Sequence, residues 1–410
     1  MTQIDLVRFA SVRHDSEAFA RDRDRFLEPL RSAFALREAD AGESPAGALQ
    51  VAFIASGGSE QDFRRRYPGL EKPVVLLADG LHNSLPAALE ISAWVRGQGE
   101  RAEVVHGSPG RVIARLEELA RFRRVRRELR GPIAVIGEPS DWLIASGVDR
   151  EAAAALWGTR FIDVDLREVG VPPVPGEKAE ALAQQCMDRA DGLDGVDRET
   201  VRRAAALFPA LESLFVRHGL KAATLRCFDL IGPLATTGCL ALALLNDAGR
   251  VCGCEGDVPA VFTMLLARSL TGALPFMANP AVIDPEGNEI VLAHCTVPSR
   301  AVSAFRLQPH FETNQGVALC GAFPAGAATL LKVGGPDLGS YFVSAAESLP
   351  TAPVAGLCRT QVRLRLQEPA SYFLRSALAN HHVLIQGDHA QEIDDFMSFH
   401  GAKRVGIRNS

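Results

Sequence analysis

The chain has 410 residues, 47% of them hydrophobic and 23% charged, with a formal net charge of −5. That length exceeds one ordinary core, so about two or three domains are expected, and the mild acidity argues against any general attraction to nucleic acid or to anionic membrane. No apolar run reaches membrane-spanning length and the first residues, MTQIDLVRFASVRHDSEAFARDRDRF, lack the apolar centre of a signal peptide, so a cytoplasmic location is expected.

The first domain, expected over 1–130, opens with a charged helix over 15–36 and an Ala/Gly/Pro-containing loop through Ala46. Two apolar runs follow, Leu49 to Ala55 and Pro73 to Ala78, each ending in small residues as buried parallel strands do. His82-Asn83-Ser84-Leu85-Pro86 starts a helix carrying Leu89, Ile91 and Trp94, with Asn83 or Ser84 as the N-cap. Arg101 to Val105 makes a third strand, and the β-α-β-α-β order is that of a doubly wound, Rossmann-like unit. The arginine-rich helix from Arg111 to Arg130 reads as a solvated or subunit-contacting face, because nothing around it suits base contacts.

A second α/β domain, expected over 131–221, begins with the strand Pro132 to Ile136, the turn Gly137-Glu138-Pro139-Ser140-Asp141-Trp142 and the strand Thr159 to Val164. Ser140 sits at a strand end, where ligands of open α/β sheets dock; a helix N-cap there is equally consistent. Helical spacing runs from Pro172 to Asp197 and again from Glu199 to His218. The third domain, expected over 222–410, has strands at Ala223 to Phe228, Gly316 to Ala322, Ala328 to Val333, Tyr341 to Ser344, Gln361 to Leu366 and Val383 to Gln386, with Thr236 to Cys239 opening a helix. Short strands with Gly/Pro turns predict an antiparallel barrel or sandwich. The fold class is therefore α/β, two doubly wound units followed by a C-terminal β-rich domain.

Chemistry concentrates between Val251 and Thr296. Glu255 sits on a Cys/Gly-flanked corner where a strand-like run gives way to a helical one, and Glu289 to Ala293 delivers His294 beside Cys295. A carboxylate and a neutral imidazole converging at strand ends suit a divalent metal such as Mn²⁺. His381 and His382 start an apolar strand, where adjacent side chains face opposite ways, so at most one of them joins such a site. Arg226 and Arg359 lie in apolar surroundings; each either reads an anionic group of a substrate or pairs with an acid such as Asp229 or Glu347. The eight cysteines fall mostly in apolar runs, as reduced thiols do, and Cys252-x-Cys254 has no zinc-knuckle spacing.

Several segments together carry a resemblance: Glu255-Gly256-Asp257, the helix ending at Leu270-Thr271-Gly272, Phe276-Met277-Ala278-Asn279, Ala293-His294, the run HNSLPAALE with the later His106-Gly107, and GEPSDWLIAS. Over nearly the whole chain these resemble the L-fucose isomerase and L-arabinose isomerase superfamily, in its shorter fucose isomerase-like branch. The resemblance implies aldose–ketose interconversion through an enediol, a Mn²⁺ or other divalent ion held by carboxylates and histidine, and a homo-oligomer with sites near subunit contacts. It places Glu255 as the first metal carboxylate, His294 as a metal histidine, Asn279 where a second carboxylate stands, and His382 as the C-terminal ligand. Asn279 departs from the pattern, since an amide brings no charge and moves no proton. Asp257, Asp284 and Glu312 are then candidate substitute acids; helix-start and turn positions explain the first two, which leaves Glu312 beside Glu255 and Asn279 in the expected catalytic set. Ser140, Arg226, Thr237, Asn380, His381 and Arg359 complete the expected sugar contacts. The alternatives are a sugar-binding relic that has lost turnover and, from the α/β units alone, a periplasmic-type binding protein.

Overall fold

Apolar runs that alternate with helices give parallel strands, and the first of them appears earlier than the sequence pattern suggests. The computed structural model describes residues 1–12, 14, 16–43, 47–170 and 175–406. By contact the chain forms two units, Met1–Arg126 with Phe399–Gly401, and Arg127–Ser398 with Ala402–Ser410.

In the first unit, strands β1 (Gln3–Phe9), β2 (Ala35–Glu38), β3 (Leu49–Ile54), β4 (Val74–Ala78) and β5 (Ala102–Val105) form a parallel sheet in the order β2-β1-β3-β4-β5. The charged helix is Glu17–Ala33, capped by Ser16; the expected start at Asp15 and loop end at Ala46 lie outside the described residues. Part of the expected loop is β2. Strand β1 escaped the pattern because Asp5 interrupts its apolar run, yet Asp5 is fully buried and takes two 2.9 Å hydrogen bonds from Arg37 of β2. The helix Ser84–Gly97 has Asn83 at its N-cap position, one of the two expected, but without a side-chain capping bond, and the Ser84 hydroxyl donates to Ile54 O.

The second unit starts with another parallel sheet, β6 (Pro132–Ile136), β7 (Arg160–Val164), β8 (Ala222–Leu225) and β9 (Val251–Cys254), in the order β7-β6-β8-β9. The boundary expected at 221 thus falls between strands of one sheet. The helix Glu177–Arg189 lies within the expected helical stretch, whose start at Pro172 is outside the described residues. Next come β10 (Phe276–Asp284), β11 (Glu289–His294), the hairpin β12 (Ala304–Gln308) and β13 (Ala318–Ala322), then β14 (Gly326–Gly334), β15 (Ser340–Leu349), β16 (Thr360–Leu366), β17 (His382–Gln386) and β18 (Lys403–Arg404). The large sheet runs β14-β17-β10-β11-β16-β15-β18, and an added β14–β15 pairing closes it into a barrel. Its ladders are antiparallel apart from β15–β18. The architecture is two parallel α/β sheets followed by a mostly antiparallel β-rich part.

The helix Val258–Thr271 is buried along nearly its whole length, between β8 and β9 of the parallel sheet and β14 and β17 of the barrel. It therefore links the parallel sheet to the barrel. Among the described residues no helix is long and apolar enough to cross a membrane.

Candidate active site

Strand β9 ends at Cys254, and the chain turns through two left-handed residues, Glu255 (φ +63°) and Gly256 (φ +73°), before the helix begins. A side chain at 256 would place its Cβ 2.6 Å from Glu138 O and Pro139 Cα, so only glycine fits against the loop after β6. Glu255 adopts that conformation at a cost of about 1 kcal/mol, and such strain gathers at functional corners. The loop is clamped in return, because Ser140 N donates to Glu255 O at 2.9 Å. Asp257 then caps the helix, accepting from Ala260 N at 2.8 Å. Glu255 is thus displayed at the C-terminal edge of a parallel sheet, where open α/β folds bind their ligands.

Two imidazoles meet it. His294, the last residue of β11, and His381, just before β17, each place Nε2 3.6 Å from Glu255 Oε1. Their other nitrogens are engaged: His294 Nδ1 lies 2.9 Å from Thr296 Oγ1, and His381 Nδ1 lies 2.8 Å from Asp257 Oδ2. These bonds aim both Nε2 atoms at Glu255; for His381 this is the arrangement in which a carboxylate behind a histidine orients it as a metal ligand, and for His294 the Thr296 hydroxyl takes that place. The ligand atoms of Glu255, His294 and His381 all lie within 4.8 Å of one another. Donors about 2.1 Å from a shared ion stand roughly 3 to 4 Å apart, so the spacing suits a divalent cation. Among the described residues His381 Nε2 is buried without a hydrogen-bond partner, an atom that lacks only an ion or a proton to share. One carboxylate and two histidines fit a metal and leave coordination positions for substrate oxygens.

The electrostatics follow from this crowding. Burial works against the Glu255 carboxylate, but His294 and His381 outweigh it and hold it far below the usual range. Asp257 is likewise penalised by burial yet held at about 2 by Lys332 and His381. Lys332 is fully buried, with Nζ 3.9 Å from Asp257 Oδ1, and burial pulls its ammonium down. Burial alone would lower His381; its bond to Asp257 and the neighbouring Glu255 carboxylate prevail and raise it to about 9.

The expected ligand His382 needs correction. It faces the other side of the strand, with Nδ1 donating to Asn380 O at 2.8 Å and Nε2 3.3 Å from the Tyr372 hydroxyl, so His381 stands in the cluster instead. Strand alternation permits only one of the pair, and the register turns the first inward.

Asn279 lies opposite Ala293 across β10 and β11, next to His294, and its Oδ1 accepts from Asn380 Nδ2 at 2.8 Å. Ser140 and Thr237 are buried, and the Ser140 hydroxyl has no hydrogen-bond partner among the described residues. No helix starts at Ser140, which removes the capping alternative. Arg226 lies just past β8 and is paired with Asp229 at 2.8 Å and Asp141 at 3.3 Å, so its charge is already matched. Arg359 donates Nε to Pro309 O at 2.8 Å and lies over the Phe311 ring; among the described residues it has no ion-pair partner. Glu312 is exposed on a turn and is not in the Glu255 cluster. Asp284 accepts from the backbone of its own turn.

Sequence reasoning weighed Asp257 as a substitute acid, set it aside as a helix start, and missed Lys332, Trp142 and His310. A lysine inside Leu330-Leu331-Lys332-Val333 was a readable signal of a buried charge. His310 is buried, and burial together with the charges of His294 and Arg359 lowers it to about 4.

No family model matches the chain. It is similar to the sulfoquinovose isomerase of Alkalicoccus urumqiensis, 25% identical over 327 residues that cover 76% of this chain and 73% of that protein. The sulfoquinovose isomerase of Clostridium sp. (strain MSTE9) is 24% identical over 331 residues, 76% of this chain and 73% of its own. That of Priestia aryabhattai is 26% identical over 329 residues, 75% and 72%. With a buried Glu/His/His group at the end of a parallel sheet, the chain is a distant homologue of sulfoquinovose isomerases.

Proposed function

We propose that the chain is a divalent-metal-dependent aldose–ketose isomerase of the fucose isomerase-like kind, working through an enediol in a cytoplasmic homo-oligomer. The observation that carries this is the convergence of Glu255, His294 and His381, with the unpartnered Nε2 of His381 turned into the group. Those three residues would hold the ion, Mn²⁺ in the first instance, with Asn279 as a neutral neighbour. When bound, the ion supplies the positive charge that steadies an enediolate.

The rest falls to the protein. Glu255 accepts the proton from C2 of the aldose and returns it to C1, while the O2 hydroxyl proton passes to O1, so that the C1 carbonyl becomes a hydroxyl and the C2 hydroxyl a carbonyl. Asn279, steadied by Asn380, orients a hydroxyl without exchanging a proton. Ser140 and Thr237 offer buried hydroxyls to the polyol. Sulfoquinovose is a hexose bearing a sulfonate, and Arg359, which has no ion-pair partner among the described residues, is a candidate cation for such a group.

The test is a ketose assay with added Mn²⁺ over sulfonated, phosphorylated and neutral hexoses, deoxyhexoses and pentoses, run beside calorimetric Mn²⁺ titration. Turnover of a panel member with Mn²⁺ bound at one site per chain is the expected result. Silence across the panel with no Mn²⁺ bound would overturn it and favour the sugar-binding relic, the reading that the neutral Asn279 supports.

A further inference from the structure

The two oxygens of Glu255 keep different company. Oε1 faces both histidines, whereas Oε2 accepts the indole N–H of Trp142 at 2.7 Å. Trp142 lies in the loop after β6 and is 54% exposed. Trp157, by contrast, is fully buried and donates to Leu338 O. An indole half in water has no shortage of acceptors, yet this one directs its N–H at a carboxylate that is only 12% exposed. A bond between an N–H and an ionised oxygen is of the stronger kind.

The aim of that N–H is built in. Ser140 N is bonded to Glu255 O, Pro139 O accepts from Arg226 Nη1 at 2.7 Å, and Leu143, next to Trp142 in the chain, is buried. Beyond the N–H, the ring meets Phe228 edge-on at 5.1 Å, and Phe228 meets His310 edge-on at 5.4 Å. Trp142, Phe228 and His310 therefore form an aromatic row beside Glu255. A sugar has one need for each part of this arrangement: hydroxyls that seek the polar centre and a C–H face that seeks an apolar surface.

We propose that Trp142 is a positioning and sugar-binding residue: its N–H fixes the Glu255 carboxylate so that Oε1 turns to the two histidines, and its exposed ring receives the C–H face of the sugar. The inference rests on the isomerase reading above and adds a residue that orients its base and meets its substrate.

Two substitutions separate the roles. W142F keeps a ring and loses the N–H; W142A loses both. In W142F, Mn²⁺ affinity by calorimetry and kcat at saturating Mn²⁺ should each fall about tenfold, with KM within about twofold, since one charge-assisted bond near a metal ligand is gone. In W142A, KM should also rise about tenfold. Indole emission gives an independent reading: paramagnetic Mn²⁺ should quench a fraction of the wild-type signal, and that fraction should be missing in W142F. An unchanged Mn²⁺ affinity and kcat in W142F overturn the positioning role, and a KM in W142A equal to that of W142F overturns the stacking role. If the wild type binds no Mn²⁺ and turns over nothing, the isomerase reading fails by itself. Emission titrated with the same sugars then decides the binding role, a shift present in wild type and absent in W142F upholding it and no shift ending it. Because Trp142 is half exposed, W142F is expected to melt within a few degrees of wild type.

Discussion

His381 and His382 are neighbours in the chain, both fully buried, and they live in opposite chemical worlds. His381 lies between Asp257 and Glu255, and these carboxylates raise it to about 9 against the penalty of burial. His382 is packed among Phe342, Tyr372 and Phe373, where burial and the Lys332 charge push it down to about 3. Ala379, held left-handed at φ +65°, precedes the pair, and alternation does the rest. Burial fixes neither charge nor role; the partners on each face do. One face is therefore built for ionic chemistry and the other for packing, and each can be tested alone.

The largest effect is expected on the ionic face. Glu255→Gln removes the charge that faces both histidines and the proposed base, so turnover should fall by about a thousandfold or more, while circular dichroism shows a folded chain. Retained turnover at added Mn²⁺ would move the base to another residue. Next, His381→Asn should weaken Mn²⁺ by about 100-fold. His382→Asn should leave Mn²⁺ affinity within about threefold and cost about 1 to 3 kcal/mol of stability, through lost packing and the loss of one of the two partners of the Tyr372 hydroxyl. Equal losses of Mn²⁺ affinity in the two variants would erase the contrast between the faces.

The same contrast predicts two limbs of pH dependence in the metal-free protein. His381 is raised from about 6.5 unfolded to about 9 folded, so its contribution is complete below pH about 6.5 and is lost as pH climbs through about 9. His382 runs the other way: lowered to about 3, it favours folding above pH about 6.5 and loses that contribution as pH falls toward about 3. Thermal melts across pH 4 to 10 should show the alkaline limb vanish in His381→Asn and the acid limb soften in His382→Asn. Mn²⁺ must displace the His381 proton, so its affinity should rise by about tenfold per pH unit toward pH 9 and then level off. A flat profile would mean that His381 is not in competition with the ion.

The two faces also show where a sequence is legible. The runs that became β3, β4 and β6 are apolar and bounded by small residues, so they read directly as buried parallel strands. Strand β1 did not, because Asp5 needs Arg37 from β2 to make sense of its burial. The short strands β8 and β9, Ala-Ala-Thr-Leu and Val-Cys-Gly-Cys, carry little β-branched signal, and the boundary drawn at 221 separated them from their sheet. At the site, Glu255 and His294 stand at strand ends that the pattern locates. Choosing between His381 and His382 required the register, which depends on a left-handed Ala379 that no propensity announces. Asp257 was hidden by doing two things at once, capping a helix and holding His381.

The smallest expected effect concerns Asn279, which lies where both faces meet: its strand neighbour Ala278 pairs with His382, and its own partner Ala293 precedes His294. Asn279→Asp preserves the acceptor for Asn380 Nδ2 and adds one negative charge near Glu255. In the metal-free protein two acids then repel, so the melting temperature should drop by a few degrees. With a divalent ion the sign reverses, and Mn²⁺ affinity should rise by about tenfold, since hard cations gain from each added carboxylate. Glu312, exposed on its turn and outside the cluster, supplies the control. If Glu255 alone moves the proton, Glu312→Gln should leave kcat within about twofold. A collapse of turnover in Glu312→Gln, with Mn²⁺ affinity intact, would bring that turn into the site and make it the second acid that Asn279 is not.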